Sequence, residues 1–80
     1  MKLPRDLSGR DLASALTKFG YQVTRQRGSH LRLTTETGGQ HHVTIPDHGP
    51  LRVGLLSALL TDVAEHLRLS REQLADELFG

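Results

Sequence analysis

Cysteine is absent from this chain of 80 residues. That excludes disulfides, thiolate zinc sites and cysteine nucleophiles, and leaves the redox compartment unspecified. No apolar run approaches the roughly 20 residues that a membrane helix needs, and Met1-Lys2-Leu3-Pro4-Arg5-Asp6 leads into no signal-like segment. A cytoplasmic protein with no membrane partner is therefore expected. Repeats, linkers and low-complexity tracts are lacking too, so residues 1–80 are expected to form one domain. A chain this short buries roughly 60% of its unfolded surface, which leaves modest stability and no room for a large cofactor; none is expected. An excess of one charge is also missing: ten Lys and Arg stand against nine Asp and Glu, a formal +1. Bulk electrostatics alone do not announce a nucleic-acid partner.

The distribution of charge says more than its sum. Lys18, Arg25, Arg27, His30 and Arg32 follow one another with no acid between them, whereas Asp62, Glu65, Glu72, Asp76 and Glu77 outnumber Arg68 and Arg71, with His66 among them, near the C-terminal end. The middle of the chain is locally basic.

Local patterns place that basic stretch on strands. Ser8 with Asp11 three residues on, and Leu7 with Leu12, form a capping box and a hydrophobic staple. Leu12, Ala15, Leu16 and Phe19 then recur at helical spacing until Gly20 stops the helix. From Tyr21 the period becomes two. Tyr21 and Val23 share one face, with Gln22, Thr24 and Gln26 on the other; Leu31 and Leu33 continue the apolar face, opposed by His30, Arg32 and Thr34. Val43 and Ile45 mark a third strand, opposed by His42 and Thr44. A loop at Thr37-Gly38-Gly39 sets Leu33 opposite Val43 and Leu31 opposite Ile45, and on the other face Thr34 opposite His42 and Arg32 opposite Thr44. Pro46 to Pro50 reads as a connection. Leu55, Leu56, Leu59, Leu60, Val63 and Leu67 then give a second helix with a wide apolar stripe, and Ser70 with Gln73 caps a third that ends near Phe79. The expected fold class is α+β, in the order α-β-β-β-α-α, with a three-stranded antiparallel sheet packed on helices.

Several kinds of chemistry can be weighed on this frame. His41 and His42 are adjacent on a strand, so they point to opposite faces and do not suit one ion; no metal site is expected. Ser29 beside His30 is a sequence neighbour and not a positioned nucleophile and base. Gly38-Gly39 is a hairpin turn, because no helix N-terminus follows to hold a phosphate. His30 is the strongest candidate. Gly28 lets a ligand approach the backbone, Arg25, Arg27 and Arg32 supply charge for a phosphate, and Ser29 offers another donor. These are the parts of a metal-free RNA cleavage, in which a base draws a proton from a 2′-hydroxyl while cations stabilise the phosphate. His42 and His48 are candidates for the second proton-transfer group.

Phe19-Gly20-Tyr21, Arg25-Gln26-Arg27-Gly28-Ser29-His30, Val43-Thr44-Ile45-Pro46-Asp47-His48 and Leu51-Arg52-Val53-Gly54-Leu55-Leu56, at this spacing, make the chain resemble the HicA family. These are small ribonucleases, the toxins of HicA and HicB toxin-antitoxin pairs. The resemblance covers nearly the whole chain. It implies a double-stranded-RNA-binding-like fold, metal-independent cleavage of mRNA with the histidine of Gly-Ser-His as catalytic residue, here His30, and a HicB-like antitoxin that masks the site. Members of the family are usually markedly basic, often carry threonine where Leu55 stands, and end the second helix about one turn earlier. A noncatalytic RNA-binding or protein-interaction module of the same fold is the alternative expectation, and a DNA-binding regulator is disfavoured by the lack of a basic recognition helix.

Overall fold

The computed structural model describes residues 3–80; Met1 and Lys2, where the leader argument begins, lie outside them. Helix α1 spans Gly9–Leu16 and is continued by a 3-10 turn, Thr17–Phe19. The Ser8 hydroxyl accepts from the Asp11 amide at 3.0 Å, and the Asp11 carboxylate accepts from the Ser8 amide at 3.2 Å, completing the capping box. Gly20 ends the segment in the left-handed region, φ +81°, where a side chain would be strained.

Strands β1 (Gln22–Arg27), β2 (His30–Thr35) and β3 (His41–Pro46) then form an antiparallel sheet in the order β1-β2-β3. Between β2 and β3 the register is the expected one: Leu31 faces Ile45, Leu33 faces Val43, Arg32 faces Thr44 and Thr34 faces His42. Helix α2 (Val53–Leu67) and helix α3 (Arg71–Phe79) complete the α+β order α-β-β-β-α-α. The Ser70–Gln73 capping box that opens α3 is formed.

The core lies between the inner face of the sheet and the helices. Leu12 and Leu16 from α1, Leu31, Leu33 and Ile45 from the sheet, Leu56, Leu60 and Val63 from α2, and Leu74 from α3 are all essentially buried with Tyr21. Each such aliphatic side chain contributes about 1.5–3 kcal/mol by leaving water. The period of two along β2 thus separates an inner row, Leu31, Leu33 and Thr35, from an outer row, His30, Arg32 and Thr34. Among the described residues no helix is long and apolar enough to cross a membrane.

Three local expectations change. A β-bulge between Val23 and Arg25 shifts the register of β1 against β2. Gln26 therefore stands opposite Leu31, on the inner side, instead of sharing the outer face with Gln22 and Thr24; one extra residue in a strand inverts the alternation beyond it. Pro46 closes β3 opposite His30 instead of opening the connection, which an edge strand allows because its outer side needs no amide donor. Leu55 belongs to the second helix but is 37% exposed, so the buried stripe of α2 is narrower than the leucine pattern suggested.

Candidate active site

The hairpin of β1 and β2 turns through Gly28 and Ser29 alone, because Arg27 and His30 are directly paired. Gly28 has φ +57° while Ser29 does not enter the left-handed region, the pattern of a two-residue turn with glycine at its first central position. The Gly-Ser pair is thus explained first by the turn. The turn also leaves the backbone open: a Cβ placed on Gly28 would meet nothing within 4 Å.

His30 follows this turn as the first residue of β2, exposed on the outer row, and Arg27 lies beside it on the neighbouring strand. Arg32 is two residues further along the same row, with Arg25 opposite. The residues singled out in the sequence, Arg25, Arg27, Gly28, Ser29, His30 and Arg32, therefore occupy one end and one face of the sheet, all of them exposed. The ion pairs among the described residues are Arg10–Asp47 and His41–Asp62, so these three arginines keep their charge available.

The two candidate partners of His30 are placed differently. His42 stands opposite Thr34, four residues along β2 from His30, which is about 13 Å at ~3.3 Å per residue. His48 lies two residues beyond Pro46, the residue paired with His30, and is exposed.

The connection that carries His48 is anchored by a residue to which the sequence pattern gave no role. The Asp47 amide donates to the Ser29 carbonyl at 2.5 Å. Its carboxylate accepts from Arg10 Nε and a terminal guanidinium nitrogen, both at 3.0 Å, and from the Gln26 amide at 3.4 Å. Hydrogen bonding from Asp47 and then its charge hold the Arg10 guanidinium above its ordinary pKa. Gln26 reaches this cluster because the bulge turns it inward. Asp47 sits in the Val-Thr-Ile-Pro-Asp-His motif, but its partners come from α1 and β1, 37 and 21 residues away, and no local pattern points to them.

His41 faces the other way. Its Nδ1 is 2.7 Å from the Tyr21 hydroxyl and its Nε2 is 3.1 Å from Asp62. Its ring stacks on His66 at 4.4 Å, and His66 Nε2 donates to the Thr37 carbonyl at 2.8 Å. Burial, helped by Asp62, pushes the Tyr21 phenol up to about 12. The adjacent pair His41 and His42 thus points to opposite sides of the sheet. Among the described residues no three His, Asp or Glu side chains gather in a group that could hold a metal.

The outer face combines an exposed imidazole, three arginines and an open glycine turn, an arrangement suited to holding a phosphodiester and moving a proton beside it. No curated protein and no solved structure matches the chain. A family model described as HicA toxin of bacterial toxin-antitoxin matches residues 9–64, from the start of α1 through the sheet into the last turns of α2. With more than half of its length matched over the segment that builds this face, the chain belongs to the HicA family, the toxins of bacterial toxin-antitoxin systems.

Proposed function

We propose that this toxin is an endoribonuclease that cleaves mRNA without a metal ion, acts as one domain in the cytoplasm, and is restrained by a HicB-like antitoxin covering the outer face of the sheet. His30 is the general acid or base. Arg27 stands directly opposite it, so a phosphodiester beside the imidazole meets a guanidinium donor in forked geometry, while Arg25 and Arg32, opposed to each other further along the row, contact the RNA beyond the reacting phosphate. Gly28 and Ser29 leave backbone and hydroxyl accessible at the turn.

In this scheme the 2′-oxygen attacks the adjacent phosphorus, a 2′-O–P bond forms and the P–O5′ bond breaks. The 2′-hydroxyl proton passes to the base and the departing 5′-oxygen takes a proton from the acid, while Arg27 stabilises the charge on the phosphate oxygens. Of the two candidates for the second group, His48 is the one adjoining the His30 end, because Asp47 ties its connection to Ser29. His42 is too far along the strand to serve the same phosphate.

The observation that carries this reading is the register that sets His30 among arginines at an open hairpin turn. The experiment is cleavage of a transcript by the wild-type protein and by His30→Ala. Cleavage by the first alone, with both proteins folded, supports it; equal cleavage by both overturns the role of His30. The alternative, a noncatalytic RNA-binding module, draws on one observation: among the described residues no side chain hydrogen bonds to His30 to orient it. RNA binding by the wild type without any cleavage would favour that module.

A further inference from the structure

The outer face holds a second group of side chains that the chemistry at His30 does not use. A basin of about 340 Å³ is lined by Thr24, Arg25, Arg32, Thr34, Gln40 and His42. Arg25 and Arg32 are directly opposed on neighbouring strands, where like charges repel, and neither belongs to an ion pair among the described residues. The bulge creates this opposition. Continued without it, the pairing of Val23 with Leu33 would set Thr24 against Arg32 and turn Arg25 towards the leucine face. An irregular strand is thus used to bring two positive charges together on the solvent side.

His42 is held beside them. Its Nδ1 is 2.8 Å from the Thr34 hydroxyl, which is 2.8 Å from the Thr24 hydroxyl. With Thr24 donating to Thr34 at 2.8 Å in preference to the Arg32 carbonyl at 3.4 Å, and Thr34 donating to Nδ1, the neutral ring carries its hydrogen on Nε2. With the ring protonated and the chain reversed, Nε2 is a donor as well. Nε2 itself has no partner among the described residues. Two guanidinium forks and one imidazole N–H converging on a shallow basin make a donor set for a phosphate.

We propose that this basin is a phosphodiester subsite for single-stranded RNA, holding a phosphate further along the strand from the one presented to His30, with His42 as a binding residue. The proposal rests on the ribonuclease reading for the identity of its ligand. Arg32 is two residues from His30 on the same row, about 7 Å, and Thr34, opposite His42, is about 13 Å away at ~3.3 Å per residue. A strand entering at the hairpin turn would therefore run along β2 towards Gln40, so that the basin fixes its path while the chemistry happens at the other end.

The test uses His30→Ala protein and a fluorescent single-stranded RNA, with affinity measured across a salt series. Adding Arg25→Ala and Arg32→Ala is expected to weaken binding on the order of tenfold and to lower the slope of log affinity against log salt by about 0.7, the value for one lost phosphate contact on a single strand. His42→Ala is expected to weaken binding severalfold. Arg5→Ala with Arg52→Ala, which removes the same charge away from the basin, is the control. Variants with unchanged affinity and slope, or a control that loses as much as the basin variant, overturn the subsite. Cleavage by proteins that retain His30 separates the two proposals. Basin variants that raise KM with little change in kcat support the subsite, and basin-dependent binding with no cleavage by the wild type leaves the subsite standing and refutes the ribonuclease. His30-dependent cleavage with KM unchanged in the basin variants does the reverse.

Discussion

His41 and His42 are neighbours in sequence and sit on opposite sides of one strand, in two regions built on different terms. On the inner side His41 uses both ring nitrogens, to Tyr21 and to Asp62, and stacks on His66, which in turn holds the Thr37 carbonyl. On the outer side His42 uses one nitrogen, to Thr34, and His30 stands exposed among arginines that, among the described residues, lack carboxylate partners. Polar groups that satisfy one another bind the start of β3, the β2–β3 turn and α2 together. Polar groups left unsatisfied face outward, where only water or a ligand can complete them. Histidine content by itself therefore says little about function here; the partner list of each ring does.

The sharpest way to break this contrast is to remove one imidazole from each region. His30→Ala is expected to lower the proposed RNA cleavage by roughly 10²–10⁴-fold, the usual worth of a general acid or base, with the melting temperature unchanged. His41→Ala is expected to do the opposite. It leaves the buried Tyr21 hydroxyl without its acceptor, at a cost of about 1–3 kcal/mol, or several degrees of melting temperature in a domain of this size at about 4–8 °C per kcal/mol. Cleavage well below the melting temperature should survive. Thermal melts and single-turnover cleavage on both proteins check the pair; a His41 variant that folds normally and fails to cleave would erase the distinction between the regions.

A second test sharpens the inner region through pH. Burial raises the Tyr21 phenol from its ordinary 10.0 to about 12, so the folded state favours the protonated form. The stabilisation is fully present below pH 10, because both states keep the proton there. It is lost as pH rises from 10 to 12, where the unfolded chain ionises first, on the order of 2 kcal/mol in all. Tyr21→Phe is expected to flatten the stability curve between pH 10 and 12 in urea melts. An equally steep loss in that variant would place the alkaline sensitivity elsewhere.

How much of this contrast is legible in the sequence depends on the range of the interactions. The helix caps at Ser8 and Ser70 are local patterns, and they form as their spacing demands. The β2–β3 register also follows from spacing, because a one-residue slip of β3 against β2 would send Val43 and Ile45 into water while Leu31 and Leu33 stayed inside. The same alternation places His30 on the outer row and separates His41 from His42. The bulge at Thr24 has no comparable signal: Thr24, Arg25 and Gln26 are all polar, so nothing in their pattern marks where the alternation inverts. Plain alternation therefore puts Gln26 on the outer face, whereas the bulge turns it inward opposite Leu31. The Arg10–Asp47–Gln26 cluster and the Tyr21–His41–Asp62–His66 network each join two elements and a connecting residue far apart in the chain, and only the folded chain brings them together.

The turn that presents His30 offers a smaller effect. Gly28 occupies φ +57° with open space around it, so Gly28→Ala meets no clash and pays only for the left-handed backbone, about 1–2 kcal/mol. A modest fall in melting temperature with some loss of cleavage is expected. Gly28→Asn, which tolerates this conformation better, should recover stability. If asparagine recovers stability and cleavage together, the glycine serves the turn; if it recovers stability alone, the open backbone itself matters to the substrate.

Asp47 ties the hairpin turn beside His30 to α1 and β1, and removing it should have little effect on stability. Its bonds to Arg10 and Gln26 lie near the surface, Arg10 being exposed by 60% of its side chain, and such pairs contribute little to stability. Asp47→Ala keeps the backbone bond from its amide to Ser29 and loses the carboxylate that ties that bond to α1 and β1. The expected result is a melting temperature within a few degrees of wild type and a severalfold lower rate of cleavage, because the hairpin turn and the connection carrying His48 are no longer held in one arrangement. Rates should be compared well below the melting temperature, where the folded fraction is the same in both proteins. A rate equal to wild type there would mean that the turn needs no anchor beyond its own two residues, and that His48 has no part in proton transfer that depends on where Asp47 holds it.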